Sequence, residues 1–158
     1  MDYERPDAKT TLEQGLREYY GDRANLVTGR GLSAQASEFF RCHDAAHVVF
    51  GCGTTLHQEF LIKIWSLFGT TTGLGVLRDY RLPESQEIYT TLSLGEILRT
   101  IPFALAHAPI VFWRCLRMRQ RWPWSDFTSY LSVPLVDIRQ EFGIRVVELG
   151  SQTPRADA

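Results

Sequence analysis

Apolar residues recur at helical rather than strand spacing through most of this chain, and that periodicity limits the possible folds more than any other feature. Leu12, Leu16, Tyr19 and Tyr20 stand at i, i+4, i+7 and i+8 ahead of Gly21, with Thr10 and Glu13 at capping-box spacing in front of them. Ser33 is placed to cap a second helix whose stripe runs Ala36, Phe40, His43, His47 and Phe50 and is closed by Gly51 and Gly53. Thr55 and Gln58 offer another capping box, after which Leu56 to Phe68 is apolar nearly all round, the pattern of a buried helix.

Ser93 and Glu96 open a long helix through Ile97, Leu98, Ile101, Leu105 and Phe112 toward Arg121, with a bend predicted at Pro102 or Pro109. The last helix is predicted from Pro134 to Gly143. Only Arg145 to Leu149 has β-branched character, and a lone strand cannot make a sheet. The predicted fold is therefore all-α, a compact multi-helix bundle forming one domain over residues 1–150, with a flexible tail at 151–158.

Composition adds exclusions. The chain has 158 residues, 44% hydrophobic and 22% charged, which suits one ordinary core and neither a disordered nor a fibrous protein. A net charge of -1 gives no overall field for nucleic acid or an anionic membrane, so any such attraction must come from a local patch. Cys42, Cys52 and Cys115 are odd in number and form no CxxC pair, arguing against a disulfide framework and for a reducing compartment. The first seven residues lack the basic and apolar regions of a secretory signal, and the apolar run Ile101 to Trp113 is too short to span a bilayer. A cytoplasmic location is expected, peripheral on the inner face of the cell membrane if attached at all. Gly69 to Gly75 reads as a loop without the Gly-Lys-Ser/Thr ending of a phosphate-cradling motif.

The chemistry concentrates in His43-Asp44-Ala45-Ala46-His47 and Glu59. On a helix each residue advances by about 100°, so His43 and His47 project about 40° apart, the device by which HisxxxHis helices present two imidazoles to one metal, and Asp44 lies close enough in azimuth to join them. The short Gly-Thr turn is expected to make the next helix an antiparallel neighbour and bring Glu59 back beside His47. Two imidazoles and two carboxylates suit zinc first and ferrous iron second, because calcium and magnesium prefer all-oxygen cages. Against this stands the plainer reading of hydrogen-bonded core histidines and an ordinary i, i+4 ion pair between Glu59 and Lys63.

The string HDAAH, eleven residues, then Glu59 resembles the metal signature of the coenzyme Q biosynthesis protein four family, and Pro134 to Ile144 is similar to that family's C-terminal helix. The resemblance runs from about Ser33 to Ile144 and is specific at its two ends; without a transit peptide it points to a bacterial-type member. It implies a helical, metal-binding protein of ubiquinone biosynthesis, holding a divalent metal through His43, Asp44, His47 and Glu59. It further implies action at the membrane face on a polyprenylated benzoquinone precursor, with the ring carboxyl at carbon one replaced by a hydroxyl. The alternative it leaves is a non-catalytic isoprenoid-lipid-binding scaffold for the other ubiquinone-biosynthesis proteins; a metal-dependent hydrolase of another family keeps the ligands without the quinone. Whether the chain forms a homodimer stays open.

Arg114, Arg117, Arg119 and Arg121 crowd beside Trp113, Trp122 and Trp124, a mixture suited to anionic headgroups or, more plainly, to a helix C-terminus and core packing. No motif for nucleic acid accompanies the patch. His57 and His107 read as structural, and Arg139 as a surface ion pair or a carboxylate-binding side chain.

Overall fold

The computed structural model describes residues 1–21, 33–80 and 94–148. Among the described residues six α-helices follow in order: α1 Leu12–Tyr20, α2 Ala34–Phe50, α3 Leu56–Gly69, α4 Val76–Asp79, α5 Leu94–Leu116 and α6 Leu135–Phe142. Short 3-10 turns lie at Asp2–Glu4, Gly73–Gly75 and Phe127–Tyr130. Among the described residues there is no strand, only isolated bridges between Thr11 and Pro134 and between Thr70 and Trp122, so the all-α expectation stands. Arg145 to Glu148 is irregular, and Leu149, Ser93 and the 151–158 tail lie outside the described residues.

The helix starts follow local chemistry with one shift of frame. Both Thr10/Glu13 and Thr11/Gln14 have capping-box spacing; Thr11 is the cap, its hydroxyl accepting from Gln14 N while Gln14 Oε1 accepts from Thr11 N at 2.9 Å. Thr10 instead gives its carbonyl to Leu135 N at 2.9 Å, and Val133 O accepts from Leu12 N at 3.0 Å. The first turns of α1 and α6 thus satisfy each other's exposed backbone, which is why Pro134 can precede α6 with no side-chain cap. Ser33 caps α2 as expected, and Thr55 caps α3, although Gln58 bonds the Thr55 hydroxyl rather than its backbone, leaving that box half formed.

Helix α3 is flanked by α2 and, along most of its length, by α5. Its core face carries Leu61, Ile62 and Trp65, with Trp65 stacked on Phe50 of α2 at 4.5 Å. The helix is less buried than its all-round apolarity predicts: Phe68 is exposed and meets Phe112 of α5 edge-on. Pro102 and Pro109 both lie inside α5, which ends at Leu116 rather than running to Arg121. The chain leaves the helix there because Trp122 is drawn into the core, its N–H donating to Gly69 O and its carbonyl accepting from Thr71 N.

That departure divides the expected Trp/Arg patch, leaving Trp113 exposed with the Arg117 guanidinium over its ring. Trp122 and Trp124 are buried, while Arg114 donates to Arg145 O and Val146 O, and Arg119 to Gln140 O. Among the described residues no helix is long and apolar enough to cross a membrane.

Gly51 ends α2 in the left-handed region at φ 67°, and a Cβ there would stand 2.6 Å from Val146 Cγ1. Left-handed backbone and overpacking add, so Gly51→Ala is expected to cost about 2 kcal/mol in urea unfolding. A loss under about 0.5 kcal/mol would mean that the turn relaxes freely.

Candidate metal centre

Helix α2 carries His43, Asp44 and His47 on the part of its surface that faces the core, and all three are buried. The expected convergence on one side occurs: the two imidazole centroids lie 4.6 Å apart at 71°. Glu59 enters from the first turn of α3, where its carboxylate also favours the helix dipole. The five-residue turn Gly51–Thr55 is short enough to return it to His47, with Oε1 3.4 Å from Nε2. One ligand atom each from His43, His47 and Glu59 lie within 4.8 Å of one another, close enough to bind a metal ion. Donors around a tetrahedral zinc at 2.0–2.1 Å are about 3.3 Å apart, so the His47–Glu59 edge already has that size.

The tautomer of His47 gives this contact its meaning. Its Nδ1 lies 3.1 Å from the carbonyl of Cys52, and a carbonyl only accepts, so Nδ1 carries the proton. Nε2 then presents a lone pair to a carboxylate oxygen. Two acceptors face each other, a repulsive arrangement unless a cation or a proton lies between them. Nε2 of His43 and Nε2 of His47 are both buried with no hydrogen-bond partner, each a cost of about 1–3 kcal/mol if nothing binds it. A carbonyl-oriented imidazole with an unpaired second nitrogen is how protein histidines are held for metals, so the residues fit a divalent ion.

Electrostatics agree. Burial holds His43 down to about 4, with Lys63 adding to the effect, and His47 down to about 3, so both rings are neutral and able to donate a lone pair at pH 7. Burial pushes Glu59 up to about 7 against the pull of Lys63, and Asp44 up to about 6.

Asp44 stands apart from the other three. It is buried, but its Oδ1 is 3.9 Å from His43 Nδ1 and its Oδ2 accepts from the Tyr20 hydroxyl at 3.2 Å. The tyrosines of α1, unremarked in the sequence beyond their apolar spacing, wall the centre: Tyr20 on Asp44 and Tyr19 against the His47 ring at 5.2 Å. Two adjacent tyrosines at a helix end were the available signal, but nothing local tied them to α2.

The remaining histidines are structural: His107 bonds the Phe103 carbonyl at 3.0 Å and stacks on the Phe103 ring, and His57 packs on that same ring at 4.2 Å. Cys42, Cys52 and Cys115 are buried free thiols. Arg139 departs from both expectations, being neither a surface residue nor directed at the site. It is buried beneath α2, donating to the carbonyls of Val48 and Val49 at 2.9 Å and to those of Tyr3 and Arg5.

A carboxyl whose folded value is raised keeps its proton to higher pH in the folded than in the unfolded chain. Stability conferred by protonated Glu59 is therefore lost as pH rises from about 4.5 through about 7. At pH 8 the metal-free protein carries the whole cost. Glu59→Gln is expected to stabilise metal-free protein at pH 8, by an amount on the order of 1–3 kcal/mol, while weakening metal binding. Thermal unfolding in chelator at pH 5 and pH 8 tests this; a variant less stable than wild type at pH 8 would contradict it.

Comparison of the chain with models of known protein families, with curated proteins and with solved structures finds no match.

Proposed function

We propose that the protein holds one divalent metal, zinc or ferrous iron, on His43, His47 and Glu59, and that it serves ubiquinone biosynthesis by acting on a polyprenylated benzoquinone precursor. The observation that carries the metal reading is the lone pair of the buried His47 Nε2 set against the half-buried Glu59 carboxylate. The quinone assignment rests on the resemblance. It gains support because the two stretches that carry it, the HDAAH helix with Glu59 and the C-terminal helix, meet in the fold: Arg139 of α6 donates to the last carbonyls of α2.

The proposed reaction replaces the ring carboxyl at carbon one by a hydroxyl, with water supplying the hydroxyl oxygen, carbon dioxide leaving, and dioxygen taking up the two electrons and two protons released to give hydrogen peroxide. When bound, the metal supplies a Lewis acid for the ring carboxylate or hydroxyl and, if iron, a site for oxygen chemistry. The protein's own part is narrower. His43 and His47 stay neutral as donors, Glu59 balances charge, and Asp44, tied to Tyr20, stands beside them as a carboxyl that can hold or release a proton near pH 6.

The test is release of labelled carbon dioxide from a carboxyl-labelled prenylated hydroxybenzoate by metal-loaded protein under air, with His47→Ala and nitrogen as controls. Release under air alone, lost in His47→Ala, is expected. Retention of the label by loaded protein that carries co-purifying isoprenoid would favour the scaffold reading, and hydrolysis of generic phosphate or ester substrates would favour a hydrolase.

A further inference from the structure

The outer side of α5 is an apolar surface left without a partner among the described residues. Leu98 is 63% exposed, Leu105 73%, Trp113 54% and Leu116 60%, with Ile101, Ile110 and Phe112 also exposed. At about 100° per residue Leu98 and Leu116 share one azimuth, and Ile101, Leu105, Phe112 and Trp113 fall within about 60° of it, making a stripe about 27 Å long with Ile110 at its margin. Pro102 and Pro109 lie in it, and it carries no charge between Arg99 and Arg114. Phe68 of α3 widens it through its contact with Phe112.

We propose that this face docks the protein, lying flat, on the surface of an anionic phospholipid bilayer. It stands on α5 alone and holds whether or not the metal and quinone readings do.

The charges choose the occupant. Arg99 and Arg117 are exposed one at each end of the stripe, on the same edge, and the Arg117 guanidinium lies 4.6 Å over the Trp113 ring. Arginine and tryptophan bordering an apolar helix face suit the headgroup layer, with the cations toward lipid phosphate and the leucines in the acyl boundary. A second copy packed antiparallel fits badly, because a two-fold pair centred on the stripe sets Arg99 of one copy beside Arg117 of the other and opposes like charges.

Flotation of the full chain with vesicles of phosphatidylglycerol and phosphatidylcholine, or of phosphatidylcholine alone, tests the assignment, with light scattering run in parallel. Wild type is expected to float with the anionic vesicles. The paired variant Leu98→Glu and Leu105→Glu, at positions that support no core, should lose more than about tenfold in partitioning. The pair Arg99→Gln and Arg117→Gln should lose roughly tenfold or more on anionic vesicles only, with helix content unchanged in both. Wild type that stays with the buffer, or variants that float like wild type, would overturn the proposal. So would a wild-type dimer that becomes monomeric in the leucine variant while the vesicles stay bare.

Discussion

Arg139→Met is expected to lower the unfolding free energy by about 3–5 kcal/mol, more than any other single substitution outside the metal centre. Arg139 is 3% exposed and its guanidinium donates to four backbone carbonyls, of Tyr3, Arg5, Val48 and Val49, with no carboxylate partner among the described residues. Burial draws its pKa down to about 10, so the cation itself is costly, and it persists because the carbonyls need it. Two of them belong to the last turn of α2, where unpaired carbonyls and the negative end of the helix dipole favour a cation. Methionine keeps the stem and leaves those carbonyls buried without a donor. Arg139→Lys should recover only part of the loss, because one ammonium cannot reproduce a planar fork. Equilibrium denaturation measures both; a methionine variant within about 1 kcal/mol of wild type would show that water replaces the guanidinium.

His47→Ala is expected to weaken zinc binding by at least about 100-fold, whereas Asp44→Asn should cost about 10–100-fold. The difference follows from position. His47 is fully buried, oriented by Cys52 O and aimed at Glu59, while Asp44 stands outside the group of three and spends one oxygen on Tyr20. Competition with a chromophoric chelator gives both affinities. Equal losses would place Asp44 among the ligands, as the sequence motif alone suggests.

The parts of this molecule legible from sequence are those decided within a few residues. Ser33, Thr55, Gly51 and Gly143 bracket helices because caps act locally, and the approach of Glu59 to His43 and His47 was readable because helix periodicity and a five-residue turn fix both sides of it. Where two local solutions compete, as with Thr10/Glu13 and Thr11/Gln14, pairing with the distant Val133 segment decides. Contacts across the chain left no local trace. Arg139 meets Tyr3 and Val48 across separations of 136 and 91 residues, so its sequence surroundings suggested a surface helix. Trp113, Trp122 and Trp124 looked alike in sequence, yet one is exposed and two are core, because only the backbone exchange with Gly69 and Thr71 carries the later pair inward.

The central claim is that His43, His47 and Glu59 hold a metal. Elemental analysis of protein purified without a metal-affinity tag, wild type beside His47→Ala and Glu59→Gln, tests it most directly. About one zinc or iron per folded chain, lost in both variants while their helix content is kept, is the result this account predicts. Wild type that takes up no metal after exposure to zinc and to ferrous iron, or variants that retain it in full, would contradict it.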